Sequence, residues 1–221
     1  MPYRILSFDG GGIKGIYTAR LLDRIAAARP GLLPSVDLFA GTSTGGIIAL
    51  GLASGLSPGE LVDLYDQNGK AIFDASLMRE ITDLDGLSGA DYNNANLERI
   101  MAQTFKETLL GDLPKKVLIP AFDLDNYQDP ETDHEASDFV RCWKPKFFHN
   151  FPEPDSDGEQ RVADVALRTS AAPTYFPTAQ HYIDGGVVAN NPSMAALAQA
   201  LDSGTGNQPL ANIHLLSLGR A

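Results

Sequence analysis

Gly41-Thr42-Ser43-Thr44-Gly45 satisfies G-x-S-x-G and lies between two apolar runs, Val36 to Ala40 and Ile47 to Leu52. The first run reads as a buried strand and the second as the start of a helix. A serine held on a sharp strand-to-helix turn can attack an acyl carbonyl. The free N–H groups at the start of the helix then face the point where negative charge develops. Glycine at 41 and 45 lets strand and helix approach closely. Alone the pattern is weak, because a chain with 21 glycines can produce it by chance.

A second glycine-rich turn stands near the N-terminus. Tyr3 to Phe8 reads as a strand, and Ile16 to Ala28 as a helix stopped by Arg29-Pro30-Gly31. Between them Gly10, Gly12 and Gly15 satisfy G-x-G-x-x-G. Two chemistries compete for such a loop. It can cradle a dinucleotide pyrophosphate, or its Gly10, Gly11 and Gly12 N–H groups can form an oxyanion hole. Ribose binding needs an acid at the C-terminal end of the second strand. Asp37 stands at the start of that strand, and Gly41-Thr42-Ser43 occupies its end. The oxyanion reading is therefore favoured. In a parallel sheet both strands end on one edge, so loop and serine become neighbours.

The serine needs a base within hydrogen-bond reach. Four histidines are available. His134 lies in an acidic loop and His149 in an aromatic segment, where surface or packing roles are expected. His214 sits within a strand at a solvent edge, and His181, three residues before Asp184, is the alternative base. Asp184 is the better candidate, since it ends a strand and is followed by Gly185 and Gly186. A carboxylate can replace histidine directly, giving a Ser43–Asp184 dyad. Its ordinary pKa of about 3.9 makes it a weak base, which partial burial would strengthen.

The remaining elements alternate strand and helix. Ser57-Pro58-Gly59-Glu60 is a capping box opening a helix that turns Leu61, Leu64 and Tyr65 inward. Residues 73–93 are irregular, either a surface excursion or a flap beside the site. A helix from Asn94 to about Leu110, a strand from Val117 to Leu124 and an acidic loop from Asp125 to Ser137 follow. Asp138 to Trp143 and Phe147 to Phe151 read as strands separated by Pro145. Then come a helix from Arg161 to Ser170, a strand from His181 to Ile183, a helix opened by Asn190-Asn191-Pro192 and a strand from Ile213 to Leu218.

With 221 residues, 43% of them hydrophobic, the chain is expected to form one α/β domain spanning 1–221. A formal charge of −11 argues against nucleic acid as partner. No apolar run reaches about 18 residues and no secretory leader is evident, so a cytoplasmic location is expected. Cys142 is the only cysteine, which excludes an internal disulfide and a cysteine-rich metal site.

Asp9-Gly-Gly-Gly-Ile-Lys-Gly15, Gly41-Thr-Ser-Thr-Gly45 and Asp184-Gly-Gly-Val-Val-Ala-Asn-Asn-Pro192 together resemble the signature set of the patatin-like phospholipases. The resemblance implies a three-layer α/β/α sandwich with a mostly parallel central sheet. It implies hydrolysis of phospholipid or lysophospholipid esters through an acyl-enzyme, without metal or other cofactor. Ser43 would be the nucleophile, Asp184 the base and Gly10–Gly12 the oxyanion hole. Lys14 stands where many members carry arginine, a cation able to balance charge though not as an arginine fork does. A lipid substrate implies transient contact with a membrane surface. Members commonly continue past the last strand with a further turn and helices, so 1–221 is either a minimal domain or one shortened at its C-terminus. A transacylase, or a non-catalytic relative binding an anionic ligand, would use the same motifs.

Overall fold

The computed structural model describes residues 2–73, 90–125, 143–152, 155–173 and 176–219. The apolar runs form one sheet. β1 (Tyr3–Phe8) pairs in parallel with β2 (Leu38–Gly41) on one side and, on the other, with the last strand of the chain, β6 (Ile213–Leu218). β3 (Lys116–Asp123) runs parallel to β2, and β4 (Lys144–His149) runs antiparallel to β3 at the edge. The order is β4-β3-β2-β1-β6, with β5 (Tyr182–Asp184) pairing antiparallel to β3. Strands covered on both faces explain why β1, β2 and β3 read as continuous apolar runs rather than alternating ones.

Helices cover both faces, giving the expected three layers. On one side lie α1 (Gly15–Ala28), α2 (Thr44–Ala53), α3 (Pro58–Phe73), α4 (Ala90–Phe105) and α5 (Val162–Ser170). Their core joins Leu6, Phe8 and Phe39 of the sheet to Ile47, Leu50, Leu61, Met101 and Val165. On the other face α7 (Ser193–Leu201) lays Ala196 and Ala200 on Ile5, Leu38 and Leu118. One short turn, α6 (Gly186–Ala189), precedes it. All ten residues of α2 are buried, which is why that segment is apolar all round. The capping box at α3 forms as expected: Glu60 N–H donates to Ser57 Oγ at 3.2 Å, and Ser57 N–H donates to Glu60 Oε2 at 2.8 Å. Among the described residues no helix is long and apolar enough to cross a membrane.

Several boundaries differ from the sequence expectation. β2 begins at Leu38 rather than Val36, and α2 begins at Thr44, directly after Ser43, rather than at Ile47. α4 starts at Ala90 rather than Asn94 and ends at Phe105 rather than Leu110, because Lys106 takes a left-handed φ of 52°. Pro145 lies inside β4 instead of dividing two strands. β4 is an outer strand, and a residue without an N–H is tolerated there. β5 starts at Tyr182, since His181 has a φ of 69°. Between Asp184 and the helix expected after Asn190, α6 intervenes. Residues 74–89 and 126–142, with His134, Cys142 and the strand expected from Asp138, lie outside the described residues.

Candidate active site

The site begins with a vacancy along β3. β2 pairs with β3 from Lys116 to Leu118 and then leaves the sheet after Gly41. β4 covers the opposite edge of β3 from Leu118 to Asp123. β5 therefore takes the edge that β2 gives up, with Ala121 opposite Asp184 and Asp123 opposite Tyr182. Being antiparallel to β3, it runs back toward the end of β2. Its last residue, Asp184, thus faces the turn that follows Gly41. Only about 10 Å of strand separates the residue paired with β2 from the residue paired with Asp184.

Ser43 occupies that turn with φ 56° and ψ −126°, a backbone conformation that non-glycine residues adopt only when their surroundings enforce it. The enforcement is visible. Ser43 N–H donates to Thr169 Oγ1 at 3.0 Å, and Ser43 C=O accepts the Ile47 N–H at 3.1 Å, starting α2. A Cβ on Gly41 would run into the Gly45 carbonyl, and one on Gly45 would lie 2.5 Å from the Phe8 carbonyl. Thr42 Oγ1 donates to Ala189 C=O at 2.7 Å, tying the turn to α6.

Asp184 is buried, with 6% of its surface exposed. The Ser43 side chain is close enough to stabilise the ionised carboxylate, and Gly186 N–H donates to Oδ1 at 2.6 Å. Burial pushes the Asp184 pKa above the ordinary carboxylate value, and the Ser43 side chain and the Gly186 N–H hold the rise in check. The backbone is fixed as well, by Asp184 N–H to Ala171 C=O at 2.9 Å and Gly185 N–H to Thr169 C=O at 3.1 Å.

The glycine loop lies against the same point, since a Cβ on Gly10 would be 3.4 Å from Ser43 Cβ. Gly10 N–H, expected among the oxyanion donors, is instead given to Asn190 C=O at 2.9 Å. That bond clasps the loop to the segment after α6. The Gly11 and Gly12 N–H groups donate to nothing among the described residues, and Gly12 has a left-handed φ of 56°. Lys14 is exposed beyond the loop.

None of the described histidines hydrogen-bonds Ser43 or Asp184. His149 is buried at the end of β4, where its Nδ1 accepts the Phe151 N–H at 3.4 Å and its Nε2 lies 3.7 Å from Asp155. His181 and His214 are exposed. Asp37 accepts the Arg4 N–H at 2.8 Å, at the opposite end of β2, which leaves it no place beside the loop. Among the described residues no group of acidic, histidine or cysteine side chains could hold a metal ion.

Thr169 escaped the sequence reading. Its Oγ1 accepts from Ser43 N–H and donates to Pro120 C=O at 2.6 Å, bridging the gap between β2 and β5. A signal existed. Val162, Val165, Ala166 and Thr169 follow helical spacing, which puts a hydroxyl on the buried stripe of α5. Thr42 and Asn190, which hold the turn and the loop to the Asp184 segment, carried no comparable mark.

A family described as patatin-like phospholipase matches residues 6–197. The chain belongs to that family. Its relatives include the putative sporulation hydrolase CotR of Bacillus subtilis, 36% identical over 98% of this chain and 62% of that protein. A cGAMP-activated phospholipase of Pseudomonas aeruginosa is 35% identical over 88% of this chain and 56% of that one. The chain thus spans a little over half the length of those relatives. Among solved structures, VipD from Legionella pneumophila shares the fold at a TM-score of 0.54 and 14% identity, covering 99% of this chain and 50% of VipD.

Proposed function

We propose that this patatin-like domain hydrolyses carboxylic esters of phospholipids or lysophospholipids, with Ser43 as nucleophile and Asp184 as general base. The observation that carries the reading is a serine on a strained turn whose side chain stabilises the charge of a buried carboxylate of raised pKa. Asp184 takes the Ser43 proton as Oγ bonds to the ester carbon. The Gly11 and Gly12 N–H groups receive the oxyanion, each such donor contributing about 3–4 kcal/mol in comparable sites. Collapse breaks the bond to the alcohol, which leaves with the proton held by Asp184. Water then gives a proton to Asp184 and attacks the acyl-enzyme, the fatty acid departs, and Ser43 recovers its proton. Relatives named as phospholipases support the lipid substrate.

A fluorophosphonate probe tests this directly. The chain is expected to label at Ser43, and Ser43→Ala to be inert. Asp184→Asn should reduce hydrolysis of lysophospholipid by about 10²–10⁴, the usual contribution of a general base. Full turnover in Asp184→Asn, with loss in His181→Ala, would overturn the dyad.

A further inference from the structure

α1 buries Gly15, Ala19 and Leu22, yet its outward face is not uniformly polar. Ile13, in the turn leading into it, and Tyr17 and Leu21 are spaced four residues apart and are 51%, 70% and 46% exposed. Arg24 follows Tyr17 by seven residues and falls on the same face. Residues 13–29 hold four cations (Lys14, Arg20, Arg24 and Arg29) against one acid, Asp23, in a chain of net charge −11. Arg20 is held at the flank by Asp66 of α3 at 2.9 Å.

The stripe starts at the site. Gly10 abuts Ser43 and Ile13 comes three residues later, while Leu21 lies about 12 Å farther along the helix. Apolar side chains interleaved with long cations are the pattern of a helix lying in a lipid–water interface, with rings and aliphatic chains below the headgroups and cations at the phosphates. We infer that the Ile13–Tyr17–Leu21 face of α1, flanked by Lys14 and Arg24, docks this domain on an anionic bilayer and sets the mouth of the Ser43 site against it. The inference rests on the lipid-hydrolase reading. A second copy of the chain is disfavoured as occupant, since it would bring like-charged stripes together. An anionic surface is opposite in sign to the stripe, in contrast to the chain as a whole.

The test uses the Ser43→Ala chain, which leaves lipids intact, sedimented with vesicles of equal phosphatidylglycerol and phosphatidylcholine. Binding is expected there, weaker on phosphatidylcholine alone and falling with salt. Tyr17→Asp with Leu21→Asp should weaken it about tenfold or more, and Arg24→Glu severalfold. With Ser43 restored, the same variants should keep turnover of p-nitrophenyl butyrate and lose turnover of vesicle lipid. Unchanged vesicle binding in both variants overturns the proposal. So does an equal loss on the soluble ester, which would make the face structural, or a change of mass in solution, which would make it a self-interface. If no ester is turned over but vesicle binding follows the expected pattern, the hydrolase reading fails and the docking face stands.

Discussion

Replacing Thr169 by valine separates positioning from packing. Valine keeps the shape of threonine, including the Cγ2 methyl that rests where a Cβ on Gly46 would come within 2.8 Å of it. What disappears is the hydroxyl that accepts from Ser43 N–H and donates to Pro120 C=O, at a residue with no exposed surface. Each orphaned buried backbone group costs about 1–3 kcal/mol, so the pair sums to about 2–6 kcal/mol before relaxation. We expect about 3 kcal/mol, which a domain of ordinary stability survives. Thr169→Ser keeps both bonds and loses one methyl group, at about 1 kcal/mol. Urea unfolding gives the two stabilities, and p-nitrophenyl ester kinetics well below the midpoints give the activities. In the valine variant Ser43 loses the bond that pins its N–H, so kcat should fall at least about tenfold with KM little changed, and serine should restore it. Equal stability of the two variants, or full kcat in Thr169→Val, would refute the bridging role.

The remaining expectations concern charge and strain. Asp184 must be ionised to accept a proton, so ester hydrolysis should be lost as pH falls through its raised pKa, placing the acid limb above that of an ordinary aspartate. The linkage runs oppositely for the fold. A carboxyl whose pKa is raised by folding gives its full contribution below its unfolded pKa and loses it as pH rises through the folded value. Asp184→Asn should therefore melt higher than the parent at pH 7, and the gap should close as pH is lowered toward 4; a constant gap would exclude burial as the cause. Ser43→Gly and Ser43→Ala both lack the hydroxyl, but only glycine relieves the backbone at φ 56°. Strain of about 1–3 kcal/mol, less the greater unfolded-state entropy of glycine, should leave Ser43→Gly about 1 kcal/mol the more stable in urea titrations. His181→Ala and His214→Ala should each leave hydrolysis within about twofold of the parent, because both side chains stand exposed.

The strands were legible where apolar runs are bounded by glycine, as at Phe8, Gly41 and Asp184, and the turn residues there marked the site. Short-range spacing said nothing of where β5 pairs. Three residues, Tyr182 to Asp184, cannot announce that they run antiparallel beside β3, and the intervening α6 is too short for periodicity to register. Helix ends slipped where one backbone angle decides them, as at Lys106 with φ 52°. The glycine-rich loop proposed to hold the oxyanion was legible from its glycines, but which of its N–H groups would be engaged depended on Asn190, far off in sequence.

The placement of β5 also explains a residue that local reading leaves arbitrary. Where β2 leaves β3 and before β5 joins it, one position of β3 would present its N–H and C=O to an empty edge. That position is Pro120, between Leu118, paired with Ala40, and Ala121, paired with Asp184. Proline has no N–H to leave unsatisfied. Its C=O is taken by Thr169, whose hydroxyl then has its lone pair available for Ser43 N–H. The gap in the sheet between Ser43 and Asp184 is thus closed by one residue lacking a donor and one side chain serving two strands. If Pro120→Ala restored a donor with nothing to receive it, the buried N–H would cost about 1–3 kcal/mol or draw water into the gap, and either result would be felt first at Ser43.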